Sequence, residues 1–114
     1  MSEVVRLRRP INWIRLRADE AERIIRERAR ITANVIISEH AFSRIEQRSI
    51  VQEDVYWILG TETVEGNPAF EGGAWKAIVV RRMPGKREAG VVTLFVRENE
   101  ELFVKTVEWM DWRR

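Results

Sequence analysis

The chain has 114 residues, 45% of them hydrophobic, with a formal net charge of +2, one histidine and no cysteine. That is enough apolar material for one domain to bury a core without covalent staples. The composition excludes disulfides, thiolate metal sites and cysteine nucleophiles, and a single imidazole excludes a histidine-rich metal cage; carboxylates alone are left as metal ligands but nothing in the sequence supports such a site, and no metal or other cofactor is expected.

The charge is unevenly spread. Residues 1–30 hold nine arginines against five acids, and residues 31–114 hold eleven basic residues against thirteen acids. Only Lys76, Lys86 and Lys105 are lysines, so planar forks of donors dominate, which suits phosphate or carboxylate partners. No apolar run approaches the roughly 18 residues of a membrane span, and MSEVVRLRRP lacks the hydrophobic stretch of a secretion signal. A cytoplasmic protein without membrane association is expected.

Val4 to Arg17 mixes Arg with Ile and Leu around Pro10 and Trp13 and reads as an arm whose apolar residues need a surface to cover. Ala18 to Arg30 reads as a helix: acids in the first turn and arginines later match the helix dipole, Glu20, Glu22 and Glu27 are spaced for local pairs with Arg, and Ala21, Ile24 and Ile25 make a narrow apolar stripe. The alternation from Ile31 to Ser38 has the period of a strand with Ile31, Ala33, Val35 and Ile37 on one face. Ser38 is placed to cap a helix over Glu39 to Arg48. Ser49 and Ile50 then turn the chain into a second short helix, Gln52 to Leu59, with Val55, Ile58 and Leu59 inward and Gly60 at its end.

Beyond Gly60 the chain reads as strands: Glu62 to Val64, Trp75 to Arg82, Gly90 to Arg97 and Leu102 to Glu108, with EGNPAFEGG, MPGKREAG and ENEE as loops. No crossover long enough for a helix separates the last three, so an antiparallel meander of three to four strands is expected. The fold class is α+β. Residues 1–30 form a basic arm and helix, and residues 31–114 one domain.

The richest stretch is SEHAFSRIEQRSIVQEDV, from Ser38 to Val55. Four-residue spacing stacks His40, Arg44 and Arg48 on one helical face while Ala41 and Ile45 turn inward. An imidazole that titrates near neutral pH beside two guanidinium forks is a row on which a phosphate fits. The same spacing also describes an ordinary solvated helix face, with Arg44 and Arg48 paired to Glu62, Glu101 or Glu108. The second basic patch is the loop with Arg81, Arg82, Lys86 and Arg87, read as a nucleic-acid contact. Trp75 and Trp109 read as core or half-buried aromatics, and Trp112 with Arg113 and Arg114 either stacks bases or closes over the sheet.

The string HAFSRIEQRSIVQEDVYWIL resembles the HA-x-x-R-x-x-x-R-G-I-x-x-E-D-V segment of the family called domain of unknown function 4258, which is similar to the RelE and ParE toxins of bacterial toxin–antitoxin systems. FVKTVEW resembles that family's last strand. The likeness covers roughly Ile31 to Trp109, and Ser49 stands where the family usually has Gly. It implies a RelE-like, RNase-like sheet backed by two helices, an endoribonuclease acting on RNA, and a small antitoxin partner, commonly with zinc-finger and helix-turn-helix architecture. Carried to this chain, the catalytic parts are His40, Arg44, Arg48 and Thr106, although a Thr in a Val-rich strand is also ordinary.

Metal-free RNA cleavage needs a deprotonated 2′-hydroxyl, a neutralised phosphorane and a protonated leaving oxygen. His40 serves one proton step, and the arginines stabilise developing charge. Glu39, Glu46 or a carboxylate elsewhere in the chain is a candidate second carrier, and the sequence does not single one out. The alternative is a non-catalytic module that binds nucleic acid or protein through the same face.

Overall fold

The computed structural model describes residues 10–47, 50–83, 85 and 87–110. Among the described residues three α-helices, α1 (Ala18–Ala29), α2 (Glu39–Gln47) and α3 (Gln52–Thr61), accompany a mixed six-stranded sheet. Its strands are β1 (Val35–Ile37), β2 (Thr63–Val64), β3 (Ala69–Glu71), β4 (Ala74–Met83), β5 (Arg87–Phe95) and β6 (Leu102–Trp109). The order is β1-β6-β5-β4-β2, with β3 also paired to β4.

The α+β class therefore stands, and β4, β5 and β6 form the expected antiparallel meander. The whole sheet is not antiparallel, however. β1 lies parallel to β6, with Val35 opposite Leu102 and Ile37 opposite Val104, because the two helices after β1 carry the chain away before it re-enters the sheet.

β1 is shorter than its alternation implied. Ile31 is 60% exposed, and Thr32–Asn34 form a 3-10 turn. The Asn34 N–H donates to the Ile31 carbonyl at 2.9 Å, and its side-chain amide donates to the Arg28 carbonyl at 3.2 Å. Those bonds give the backbone after α1 a turn in place of a strand. The segment read as the loop EGNPAFEGG contains β3, joined to β4 by Gly72 and Gly73 at φ 59° and 86°. Two consecutive positive φ values define the two-residue hairpin turn that twists with its strands. The MPGKREAG loop is also shorter than expected: β4 continues to Met83, β5 begins at Arg87, and these two residues pair. Gly60 lies within α3, which continues to Thr61.

Strand register sorts the sheet into two faces. Trp75, Ala77, Val79, Val91, Thr93, Leu102, Val104 and Val107 point to the helix side and are buried. There, all but Thr93 join Ala21, Ile24 and Ile25 of α1, Ala41 and Ile45 of α2, and Val55, Ile58 and Leu59 of α3 in one core. Burial of each large aliphatic side chain contributes about 1.5–3 kcal/mol before entropy is counted. Ile78, Val80, Val92, Leu94 and Phe103 belong to the other face, outside that core. A Cβ on Gly90 would overlap Met110 Sδ, so glycine lets Met110 lie against this second face.

Buried charges tie the arm and α1 in place. The Glu20 carboxylate accepts the Arg17 N–H at 3.0 Å and the Asn12 N–H at 3.2 Å. Arg28 sits over the Trp13 ring at 5.9 Å and donates to the Glu101 carbonyl at 3.2 Å. Arg26 donates to the carbonyls of Thr61 and Glu62 at 2.9 and 3.2 Å, satisfying acceptors at the end of α3. Ile11 and Trp13 pack against the core and Leu16 is buried in it. The part of the arm before Pro10 lies outside the described residues.

Candidate functional site

Ser38 positions α2. Its hydroxyl accepts the Ala41 N–H at 3.0 Å, the N-cap bond expected of serine, and donates to the Lys105 carbonyl at 3.0 Å. Its own N–H donates to the Val104 carbonyl at 3.1 Å. One residue thus starts the helix and ties it to β6. The tie falls beside a bulge: the register of β5 and β6 shifts between Val92 and Thr93, leaving Lys105 as the extra residue between Val104 and Thr106.

With Ala41 and Ile45 buried, His40 is presented to solvent and Arg44 at the margin. Arg44 Nε donates to His40 Nε2 at 3.4 Å, and Arg44 Nη1 donates to Gln47 Oε1 at 3.1 Å. Gln47 Nε2 in turn donates to Ser43 Oγ at 3.3 Å. This chain of polar side chains follows the three- and four-residue spacings of the helix. The Arg44 contact requires an unprotonated Nε2, so the imidazole carries its proton on Nδ1 in this arrangement. Among the described residues the alternative pairing of Arg44 with Glu62, Glu101 or Glu108 is not made; its partners lie on its own helix. Arg48, the third member of the row, lies outside the described residues, as does Ser49.

Thr106 belongs to another surface. It stands opposite Val92 on the sheet face away from the core, whereas α2 packs its apolar side into that core. Its chain neighbour Lys105 takes the hydrogen bond from Ser38, so its backbone is close to the start of α2.

The basic hairpin divides in the same manner. Arg81 and Arg82 are consecutive strand residues and point to opposite faces. Arg81 lies 3.9 Å from the Asp54 carboxylate in the first turn of α3. Arg87, on the same face as Arg81, stacks over the Trp109 ring at 4.1 Å. Arg82 is exposed on the other face, in register with Glu88. Lys86 and the Trp112, Arg113, Arg114 tail lie outside the described residues. The expected single patch is therefore split between two surfaces.

The reading of the sequence missed Ser43 and Gln47, which extend the polar chain along α2. Their spacing from Arg44 and from each other was the available signal. It also missed the charges with clearly shifted titration. The Arg17 N–H holds the Glu20 carboxyl below the ordinary carboxylate range against the cost of burial, with the Asn12 N–H assisting. Burial pulls the Arg28 guanidinium down, and the Glu100 carboxylate partly offsets this. Both groups organise the arm.

Among the described residues no three His, Asp or Glu side chains are grouped to hold a metal ion, and no helix is long and apolar enough to cross a membrane. Compared with protein families, curated proteins and solved structures, the chain finds no significant match.

Proposed function

We propose that the chain is a RelE-like toxin component of a type II toxin–antitoxin system, a cytoplasmic endoribonuclease that cleaves RNA without a metal ion. The observation that carries this reading is the exposed His40–Arg44 pair, with Nε and Nε2 3.4 Å apart. The HAFSRIEQRSIVQEDV motif supports it, and so does the α+β architecture of helices packed on a sheet.

In this reading the Nε2 lone pair that accepts from Arg44 takes the proton of the ribose 2′-hydroxyl, the 2′-oxygen bonds to phosphorus as the bond to the 5′-oxygen breaks, and water protonates the leaving 5′-oxygen, giving a 2′,3′-cyclic phosphate and a 5′-hydroxyl. Arg44 swings from the imidazole to the phosphate and stabilises the charge that builds there. The first role accounts for a hundredfold to ten-thousandfold in rate, and the second is electrostatic. Arg48, four positions after Arg44 in the sequence, extends the phosphate contact. Thr106 contributes least, because its side chain is on the other sheet face. Arg81, Arg82, Lys86 and Arg87 guide the RNA backbone from both sides of the hairpin. A cognate antitoxin silences the protein by covering α2, where Phe42, two residues on from His40 in the chain, is 43% exposed and offers an apolar anchor.

The test is controlled expression in a bacterial host of wild type, His40→Ala and Thr106→Val, following growth and the integrity of total RNA. Wild type should arrest growth and fragment RNA, His40→Ala should do neither while remaining folded, and Thr106→Val should lose less than about tenfold. A folded His40→Ala protein that still cleaves removes the catalytic assignment. Wild type that binds RNA but never cleaves it makes the chain a non-catalytic binding module, the alternative use of the same face.

A further inference from the structure

A second site stands apart from α2, at the corner where the β5–β6 turn meets β3 and β4. A cavity of about 290 Å³ opens there, walled by Trp13, Phe70 and Trp75, with Arg97 and Glu98 also lining it. It shares no residue with the His40–Arg44 pair.

The aromatic walls are held by contacts that leave ring surface free. Phe70 meets Trp75 edge-on, with centroids 5.2 Å apart and planes at 65°, and is still 60% exposed. Trp13 is fixed from behind by the Arg28 guanidinium at 5.9 Å and edge-on by Phe95 at 6.3 Å. Gly73 leaves another side without a side chain, since a Cβ there would meet nothing within 4 Å. Rings held in this way form a stacking platform for a flat heterocycle, and aromatic stacking is the sequence-tolerant part of base recognition.

Arg97 and Glu98 decide which heterocycle. Among the described residues neither side chain is engaged in a hydrogen bond or ion pair, so a donor fork and a carboxylate both remain for a ligand. A simple cation is opposed by Arg97, and a simple anion by Glu98. A ligand that suits both presents two acceptors on one edge and two donors on another. Guanine does so: O6 and N7 match an arginine fork, and N1–H with the N2 amino group match a carboxylate. Adenine places its N6 donor next to N7 and has no N1–H for the carboxylate.

We infer that this corner is a guanine-binding pocket, in which the base stacks on the Phe70 and Trp13 rings, Arg97 holds O6 and N7, and Glu98 accepts from N1–H and N2–H. The base arrives either as a free nucleotide or within a single strand. The inference does not depend on RNA cleavage, since a pocket that shares no residue with the His40–Arg44 pair binds its base whether or not α2 is catalytic.

Isothermal titration of the full chain with GMP and AMP, and with short single-stranded DNA oligonucleotides differing by one G-to-A replacement, tests it. DNA lacks the 2′-hydroxyl, so His40 chemistry does not interfere. The guanine ligand should bind roughly tenfold to hundredfold more tightly than its adenine counterpart. Glu98→Gln, in an exposed turn, should erase most of that preference with unchanged thermal unfolding. Preference with GMP identifies a free nucleotide as sufficient, and preference only with the oligonucleotide identifies a base in a strand. Equal affinity for guanine and adenine in both formats, no binding in either, or a full preference retained by folded Glu98→Gln overturns the assignment.

Discussion

At the α1 corner, Glu20 and Arg28 are 8% and 7% exposed, and each directs its polar atoms to backbone groups, Glu20 to those of the preceding arm and Arg28 to the Glu101 carbonyl. On α2, His40, Ser43 and Gln47 stand in solvent, and with Arg44 they bond to one another along a single helix. Both regions are rich in polar and basic side chains, yet the fold depends on them differently. A buried donor or acceptor must be satisfied or the structure loses its desolvation cost, whereas exposed groups exchange partners with water at little net cost. The α1 corner is therefore structural in character. The α2 face holds polar groups that folding does not require.

The comparison is broken most directly at Arg28. Arg28→Ala removes the hydrogen bond to the Glu101 carbonyl, the stack on Trp13 and the aliphatic stem packed at the margin of the core. A loss of about 2–4 kcal/mol in unfolding free energy is expected, seen as a lower denaturant midpoint with little change in slope. A loss under about 0.5 kcal/mol would place Arg28 in the same class as the α2 side chains.

Glu20 sharpens the same contrast through pH. Its carboxyl titrates lower in the folded chain than in the unfolded one, chiefly because the Arg17 N–H bonds the charged form. A group whose folded pKa is depressed gives stability that is present above the unfolded pKa and disappears as pH falls through the folded value. Glu20→Gln should therefore be less stable than wild type at neutral pH, by about 1–2 kcal/mol as charge-assisted bonds become neutral ones. The gap should close as pH drops below the ordinary carboxylate range. Chemical denaturation of both proteins across that interval checks it, and a gap that stays constant with pH would show that the carboxylate's charge is not what Glu20 contributes.

The helical parts were legible because their patterns are local. Ala21, Ile24 and Ile25, and likewise Val55, Ile58 and Leu59, were expected inward and are buried, and Ser38 caps α2 as its position implied. The elements that departed from expectation depend on distant partners or on competing local bonds. Ile31 to Asn34 alternates like a strand, but Asn34 closes a turn instead. The parallel seat of β1 joins segments 67 residues apart at the Ser38–Lys105 contact, which no local period encodes. The His40–Arg44 pair could be read from spacing alone. The basic hairpin was misjudged because its four charges were taken as one patch, although Arg81 and Arg82 end the expected strand Trp75 to Arg82 and consecutive strand residues part to opposite faces. The aromatic corner draws Trp13, Phe70, Trp75 and Arg97 from three separate stretches and becomes visible only when the sheet brings them together.

The smallest expected effect is the most pointed test of the contrast. Arg44→Ala deletes the centre of the α2 chain, and with it the contacts to both His40 and Gln47. Exposed side-chain pairs of this kind contribute only about 0.2–0.5 kcal/mol, and alanine has the higher helix propensity, so the two effects offset. Stability should stay within about 0.5 kcal/mol of wild type, measured by the same denaturation used for Arg28→Ala. Activity should move in the opposite proportion: if Arg44 neutralises charge on a phosphate, RNA cleavage falls by at least tenfold in a protein that is as stable as wild type. A variant that loses stability but keeps its activity reverses the contrast, making α2 the structural region. Loss of activity at constant stability is the separation that a functional face requires, because only there do the side chain's strongest interactions form with something other than the fold.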